Sequence, residues 1–344
     1  MNAHSPIRVA LIGYGYWGPN LARNLQESAL FELVGIYDQS EDQRKLIKRR
    51  FPSIQVFEQL SDILSDEHIA AVVIATPPST HFSLAMQGLN GGKHVLVEKP
   101  ITLDSLEAIQ LIHTAEKHNL QLMVDHTFVY SPPVQYLYDS ITKHGLGSLH
   151  AFDSTRINLG LIQKDTNVIW DLAVHDISIV NYITGRLPVS VSATGAKIPQ
   201  SDQHVTGYLS LFYDDGFIAH INVSWFSPVK IRRTIVTGQN KMIVYDDLET
   251  SEKIKIYDSG VDVKNDPESI QKLLVSYRVG DIMSPLIPQR EALSLMVESF
   301  ATSILNNNPS PTSGLFGLQV VQIVEATIRS LNSNGSNMLI EYSL

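Results

Sequence analysis

Residues 7–18 read IRVALIGYGYWG, and this stretch decides the fold of the N-terminal part of the chain. Its first half predicts a short apolar strand, its second half is a glycine-rich turn, and a helical stretch follows from Asn20 to Glu27. A strand, a glycine turn and a helix in this order are typical of a site that binds a dinucleotide through its pyrophosphate. Gly13 would permit the tight turn, and Gly15 would let the backbone approach the phosphates closely. Gly18 would allow the helix to pack closely on the strand.

A second predicted strand, Glu32–Tyr37, ends at Asp38, twenty residues after Gly18. An acidic residue at this point accepts hydrogen bonds from the adenosine ribose and repels a 2′-phosphate. The pattern therefore predicts NAD rather than NADP. The alternative is a glycine turn that only connects strand to helix, followed by a surface aspartate in a loop.

The composition limits the class of protein. A chain of 344 residues with 44% apolar and 18% charged residues is expected to be globular and to form two domains. The net charge of −9 argues against a nucleic-acid partner or an anionic membrane partner. The chain contains no cysteine, its histidines lack metal-binding spacing, and its apolar runs are too short for a signal peptide or a membrane span. We therefore expect a cytoplasmic protein without a metal site.

Short apolar strands alternate with helical stretches as far as residue 124. This alternation predicts an α/β fold with a doubly wound parallel sheet, an NAD-binding Rossmann domain over residues 1–124. Ligands bind at the carboxyl ends of such strands. Those ends carry the unusual residues, namely Gly13–Gly18, Asp38, Thr76–Pro78, Glu98–Pro100 and Asp125–Thr127.

Long alternating strands and hairpin turns appear from about Ser148 onward, interrupted by one predicted helix at Val168–Thr184 and followed by two more. This pattern predicts an α+β domain with a mainly antiparallel sheet over residues 125–344, and we expect this domain to bind the substrate and to form the oligomer. Because an apolar outer sheet face needs cover, we expect a homodimer or a homotetramer.

Lys99 follows a strand of the first predicted domain and would lie at its ligand edge. A cation there could stabilise the alkoxide character that develops as hydride leaves a substrate carbon. The alternative is an ordinary solvated loop lysine.

Asp171 and His175 are four residues apart on the predicted helix at Val168–Thr184 and would share one helix face. An imidazole can accept the proton of a hydroxyl group, and a neighbouring carboxylate can orient the ring or bind the substrate. The alternative is an exposed polar pair, although the apolar neighbours favour burial. Asp176 is a rival for the carboxylate role, but it projects about 100° away from His175.

The glycine turn, Glu98-Lys99-Pro100 and the Trp170-Asp-x-x-x-His-Asp helix, in this order, resemble the Gfo/Idh/MocA family of NAD(P)-dependent sugar and cyclitol oxidoreductases. The resemblance covers essentially the whole chain. It implies a Rossmann domain, a C-terminal domain with an open-faced sheet for oligomer contacts, and catalytic roles for Lys99, Asp171 and His175. Many members carry an Asn and an Arg after the last Rossmann strand, whereas residues 124–130 here read VDHTFVY. His126 and Thr127 are candidates to replace them.

The resemblance implies hydride transfer between NAD and a secondary alcohol or ketone of a sugar. The stretches GYGYWGPN and VDHTFVY resemble those of members associated with nucleotide-sugar and surface-polysaccharide pathways, which implies a nucleotide-linked sugar in polysaccharide or amino-sugar biosynthesis. A free-sugar or inositol dehydrogenase and a non-catalytic NAD-sensing regulator are the alternatives. The expected cofactor-binding residues are Gly13, Gly15, Tyr16, Trp17, Gly18, Asp38, Thr76, Pro77, His81, Glu98 and Lys99. The expected substrate-binding residues are Lys99, His126, Arg156, Asn158, Asp171 and His175, and Lys230, Arg232 and Arg233 form either a diphosphate site or a solvated strand end.

Overall fold

The computed structural model of the protein describes residues 5–143, 145–160, 162, 166–199, 201–263 and 275–344. Contacts between residues divide the chain into two compact units. The first comprises Met1–Ser131, Arg290–Gln322 and Tyr342–Leu344, and the second comprises Pro132–Gln289 and Ile323–Glu341. The chain thus returns to the first unit near its C-terminus. The boundary at residues 124 and 125 stays a prediction.

The first unit contains a six-stranded parallel sheet in the order β3-β2-β1-β4-β5-β6. Its strands are β1 Ile7–Ile12, β2 Phe31–Tyr37, β3 Gln55–Phe57, β4 Ala71–Ile74, β5 His94–Glu98 and β6 Leu122–Asp125. Its connecting helices are α1 Gly18–Glu27, α2 Glu41–Arg50, α3 Leu60–Ser65, α4 His81–Asn90 and α5 Ser105–Lys117. Because the strand order reverses between β1 and β4, the carboxyl ends of these two strands form the point at which such sheets bind ligands.

Residues 290–322 belong to the first unit through main-chain contacts at the carboxyl end of β6. The amide of Val124 donates to the carbonyl oxygen of Thr312 (2.8 Å), and the Thr312 hydroxyl donates back to the Val124 carbonyl (2.7 Å). Two helices flank this contact, α8 Ala292–Asn306 and α9 Gly314–Asn332, the second of which continues into the second unit.

The second unit contains a nine-stranded mixed sheet in the order β14-β13-β12-β11-β7-β10-β9-β8-β15. Its strands are β7 Leu149–Leu159, β8 Ser190–Ile198, β9 Ser201–Phe212, β10 Ile218–Ser224, β11 Phe226–Gly238, β12 Met242–Asp246, β13 Ile254–Val263, β14 Val275–Met283 and β15 Met338–Leu339. Among the described strands of this sheet, only β7 and β10 pair in parallel, so the prediction of a mainly antiparallel sheet is confirmed. Its helices include α6 Pro132–Lys143 and α7 Val174–Thr184.

Alternation along β9 gives this sheet two different faces. Val205, Leu209 and Leu211 are buried, whereas Tyr208 between them is exposed. Helix α7 packs on the buried face, where residues of β7 bind its side chains. Within the described parts of the chain, no helix is long and apolar enough to span a bilayer.

Candidate active site

The glycine turn after β1 has the geometry that its sequence predicts. Gly13 has φ +97°, and a Cβ there would lie 2.6 Å from the carbonyl oxygen of Ala75. A Cβ on Gly18 would lie 2.6 Å from the carbonyl oxygen of Gly13, so helix α1 can begin at this point only with glycine. A Cβ on Gly15 would meet nothing within 4 Å. Gly15 therefore borders open space, into which a phosphate can approach the backbone.

Asp38 is bound to this turn through its carboxylate. One carboxylate oxygen accepts from the amide of Tyr14 (2.7 Å) and the other from the amide of Ser40 (2.8 Å). The guanidinium of Arg44 donates to the carbonyl oxygens of Asp38 (2.8 Å) and Gln39 (2.9 Å). Main-chain amides thus hold the Asp38 carboxylate, and main-chain carbonyl oxygens hold the Arg44 guanidinium next to it.

A cavity of about 340 Å³ opens beside the glycine turn. Five of the predicted cofactor-binding residues line it, namely Gly13, Gly15, Asp38, Thr76 and Pro77. Apolar side chains such as Leu60 and Leu84 line its other walls. A cavity with apolar walls, a carboxylate at its edge and a turn without side chains fits the adenosine and pyrophosphate groups of NAD.

Tyr16, Trp17 and His81 are predicted cofactor ligands that lie outside this cavity lining. Tyr16 is 85% exposed and packs edge-to-face on Trp17, with ring centroids 5.6 Å apart. His81 is fully buried, and its ring nitrogens lie 2.7 Å from the carbonyl oxygen of Pro100 and 2.9 Å from that of Thr76. Burial lowers the pKa of His81. His81 therefore connects the Thr76 turn to Pro100, and its nitrogens are not presented to a ligand.

Two buried carboxyl groups lie beside Lys99 at the sheet edge. Glu98 and Asp125 are register partners at the ends of β5 and β6, and their carboxyl groups share a hydrogen bond. Burial, and secondly the charge of Asp125, raises the pKa of Glu98 well above its usual value. The Thr127 hydroxyl donates to Asp125, and the Lys99–Pro100 peptide is cis. The raised pKa of Glu98 favours its neutral form, which reduces the repulsion between the two carboxyl groups beside the Lys99 ammonium.

Asp125 is a member of this cluster that sequence reasoning missed. The signal available was its place at the end of the last Rossmann strand, directly beside the Glu98 strand end.

His126 is 1% exposed and packs edge-on against Phe316, with ring centroids 5.5 Å apart. Neither ring nitrogen has a hydrogen-bond partner among the described residues. Burial, and secondly the charge of Lys99, lowers the pKa of His126 to about 3, so the ring is neutral. The predicted contact of His126 with substrate stays a prediction, and the ring itself lies in the interior of the first unit.

In the second unit, Asp171 and His175 lie at the start of the predicted helix. The segment Ile169–Ala173, which carries Asp171, is a π-helical turn, and His175 follows in the first turn of α7. The Asn167 carboxamide oxygen accepts from the amides of Ile169 (3.0 Å) and Trp170 (3.3 Å) and so begins the turn. Asp171 and His175 are both half-buried, and π-turns are frequent at functional sites.

Arg156 forms a buried ion pair with Asp176. Its guanidinium donates from Nε to one carboxylate oxygen (2.9 Å) and from Nη2 to the other (3.1 Å), and the Ser154 hydroxyl donates to the same carboxylate (2.7 Å). Asp176, the rival of Asp171 for the carboxylate role, thus binds β7. The predicted substrate ligand Arg156 is occupied by this pair, while Asn158, on the same strand, is half-buried.

The basic cluster predicted from sequence is partly neutralised. Arg232 pairs with Asp247 (3.3 Å) and Arg233 pairs with Asp246 (2.8 Å). These pairs favour the interpretation of a solvated strand end. In the described parts of the chain, no three His, Asp or Glu side chains are grouped so that they could hold a metal ion.

Two family models match the chain. The model for the oxidoreductase family with an NAD-binding Rossmann fold matches residues 7–126, and the model for the GFO/IDH/MocA C-terminal domain matches residues 149–244. The chain belongs to the Gfo/Idh/MocA family. The predicted family, fold class and NAD cofactor are confirmed, and so is the prediction of an NAD-dependent oxidoreductase.

This Gfo/Idh/MocA protein is 28% identical to the UDP-N-acetylglucosamine 3-dehydrogenase of Acidithiobacillus ferrooxidans over 322 residues, which cover 92% of this chain and 94% of that protein. A solved structure of that enzyme matches with a TM-score of 0.79 at 25% identity and covers 96% of this chain and 99% of its own. An oxidoreductase structure from Magnetospirillum magnetotacticum matches with a TM-score of 0.80 at 30% identity, covering 94% and 99%.

The NADP⁺-dependent scyllo-inositol 2-dehydrogenase of Bacillus subtilis is 24% identical to this chain over 354 residues, which cover 97% of this chain and 96% of that protein.

Proposed function

We propose that the protein transfers hydride between NAD and a secondary alcohol or ketone carbon of a nucleotide-linked sugar. The observation that carries the substrate class is the similarity, along nearly the full length of both chains, to UDP-N-acetylglucosamine 3-dehydrogenase.

The residues that hold the cofactor follow from the geometry of the first unit. The open space at Gly15 accommodates the pyrophosphate, and the Asp38 carboxylate binds the adenosine ribose beside Thr76 and Pro77. The order of the strand ends supports a position for Glu98 on the nicotinamide side. When bound, NAD supplies the hydride acceptor.

Lys99, Asp171 and His175 are proposed to act on the reacting hydroxyl group of the substrate. The Lys99 ammonium donates a hydrogen bond to the oxygen and stabilises the negative charge that develops there. The His175 imidazole accepts the hydroxyl proton, since a histidine can exchange a proton near neutral pH. The Asp171 carboxylate orients His175 or the sugar. In the reduction of a ketone, His175 returns the proton.

A dehydrogenase of free sugars or inositols is the second candidate, favoured by the similarity to scyllo-inositol 2-dehydrogenase. A non-catalytic NAD sensor is disfavoured, because a sensor has no need for Lys99, Asp171 and His175 together.

The experiment begins with the protein as purified. Mass spectrometry of the ligands released on denaturation identifies the nucleotide, and absorbance of NADH then follows reaction with UDP-hexoses, free hexoses and inositols. Turnover of a UDP-sugar supports the proposal. Turnover of a free polyol alone supports the second candidate. Binding of NAD with no turnover across the panel favours the sensor.

Substitution of the proposed catalytic residues tests their roles. Lys99→Met and His175→Ala are each expected to lower kcat by about 100-fold or more, because each removes a group that binds the reacting oxygen or its proton. The dissociation constant of NADH, measured by fluorescence, should change little. The exposed residues Lys48 and His113 provide matched controls, Lys48→Met and His113→Ala. Near-normal turnover in both active-site variants would overturn the assignment.

We further propose a cytoplasmic homodimer or homotetramer that associates through the outer face of the second unit's sheet. Support comes from apolar side chains that are exposed on that face, Tyr208 of β9, Ile218 of β10 and Ile235 of β11.

A further inference from the structure

We propose that Trp225 is a positioning residue that fixes the carboxylate of Asp171. The indole Nε1–H of Trp225 donates to Oδ2 of Asp171 at 2.9 Å. Trp225 is 2% exposed, whereas Asp171 is half-buried. An indole nitrogen is only a donor, so the Asp171 oxygen is the acceptor in this bond. The inference rests on the proposed role of Asp171.

The backbone of Trp225 is fixed from two sides. Its amide donates to the carbonyl oxygen of Val205 on β9 (2.8 Å), and its carbonyl accepts from the amide of Gly160 after β7 (2.9 Å). A Cβ on Gly160 would lie 3.1 Å from Cδ1 of the indole ring. The absence of a side chain at Gly160 therefore leaves room for the indole, whose position is set by the sheet.

The π-turn that carries Asp171 also packs directly against the sheet. A Cβ on Gly207 of β9 would lie 2.4 Å from Cδ1 of Ile169, so this turn approaches β9 as closely as a glycine permits. The Asp176–Arg156 pair fixes the chain on the other side of His175. Between these two attachments, the Trp225 indole donates to the Asp171 carboxylate and so fixes its direction.

The first test needs no substrate. The chain has three tryptophans, Trp17, Trp170 and Trp225, so a ¹H–¹⁵N spectrum contains three indole signals. Trp17→Phe and Trp170→Phe assign them by elimination. The Trp225 signal is expected downfield, protected from exchange with solvent, and displaced in Asp171→Ala, while the signal of Trp17 in the first unit stays in place. If the chemical shift of the Trp225 indole signal is unchanged in Asp171→Ala, the proposal is wrong, whether or not the proposed reaction is correct.

The second test is a double-mutant cycle on turnover. Trp225→Phe keeps an aromatic ring but loses the donor, and is expected to lower kcat by roughly 10-fold with NADH affinity unchanged. In the Asp171→Ala background the same change should cost less than about 2-fold, since the carboxylate it positions is gone. If the reductions in kcat caused by Trp225→Phe and by Asp171→Ala multiply fully in the double variant, Trp225 has only a structural role.

Phe152→Leu is the control for packing. Phe152 is fully buried on β7 of the same sheet and is not a predicted site residue. Its substitution is expected to lower the melting temperature, and any loss of turnover should multiply with that of Asp171→Ala. If no tested sugar is turned over but the indole signal responds to Asp171→Ala, the positioning contact stands and the proposed function fails.

Discussion

The carboxylate of Asp38 has two tasks, one in the glycine turn and one proposed for the cofactor. Its carboxylate holds the amides of Tyr14 and Ser40, and it is expected to bind the ribose of NAD and repel a 2′-phosphate. Asp38→Ala should weaken NAD binding and narrow the preference for NAD over NADP, because the neighbouring Arg44 guanidinium then has no competing carboxylate. Cofactor titrations measured by NADH and NADPH fluorescence check this.

The variant with both Asp38→Ala and Arg44→Ala is the control, and it should weaken NAD binding without a relative gain for NADP. Tighter binding of NADP than NAD by the unchanged protein would contradict this account of Asp38.

His126 makes the stability of the protein depend on pH. Burial lowers its pKa from 6.5 to about 3, so the unfolded chain binds a proton that the folded chain does not. This contribution to stability is complete above pH 6.5 and is lost as the pH falls towards 3. His126→Phe should therefore lose less stability than the unchanged protein between pH 7 and pH 4, since a phenyl ring beside Phe316 has no proton to gain.

Melting temperatures across this pH range measure the effect, with His113→Phe at an exposed position as the control. Parallel curves for the unchanged protein and His126→Phe would mean that His126 is not buried in its neutral form.

At the residue scale, the sequence predicted those roles that depend only on residues close together in the chain. The roles of Gly13, Gly15 and Gly18 follow from backbone geometry within one turn, and the structure reproduces them. The sequence did not predict the bond from Trp225 to Asp171, because its partners are 54 residues apart and meet only after the sheet has formed. The sequence did not predict the contact between Glu98 and Asp125 either, because these two residues also meet only after the sheet has formed.

A buried ion pair between Arg156 and Asp176 attaches helix α7 to β7. Arg156 and Asp176 are nearly inaccessible, so removal of one partner leaves an uncompensated buried charge. Arg156→Met should destabilise the protein by about 3–5 kcal/mol, whereas addition of Asp176→Leu should recover much of that loss. Urea unfolding of the two variants, monitored by far-UV circular dichroism, measures the difference. If the variant with Arg156→Met and Asp176→Leu is less stable than Arg156→Met alone, the Asp176 carboxylate stabilises the fold even without its partner, and this prediction is wrong.

Elements with a clear period were predicted within a few residues of their observed bounds. Helix α2 begins and ends at the predicted residues, Glu41 and Arg50. The predicted helix at Val168–Thr184 is instead a π-turn followed by α7, because apolar spacing does not distinguish a local insertion in a helix from a regular turn. Strands β13 and β14 were not predicted, although β13 has the alternating pattern IKIYDSGVDV.

The whole chain is not divided at a single point. Residues 290–322 follow the second unit in sequence but pack with the first, through Thr312 at the end of β6 and an exposed pair between Arg23 and Glu291 (2.6 Å). A change from alternating strands and helices to long strands marks where the first unit ends. No local pattern marks where the chain returns, because that depends on contacts between residues almost 200 positions apart.

The open sheet face makes a prediction about assembly. Ile235 is 36% exposed at the centre of that face, so its replacement by glutamate would place a charge in the proposed interface between copies. Ile235→Glu should lower the molar mass measured by light scattering to that of a smaller species, while NADH affinity is retained because the cofactor site lies in the other unit. Leu106, 65% exposed on α5, is the matched control, and Leu106→Glu should leave the mass unchanged. A monomeric unchanged protein, or an unchanged mass for Ile235→Glu, would show that this face is not the interface.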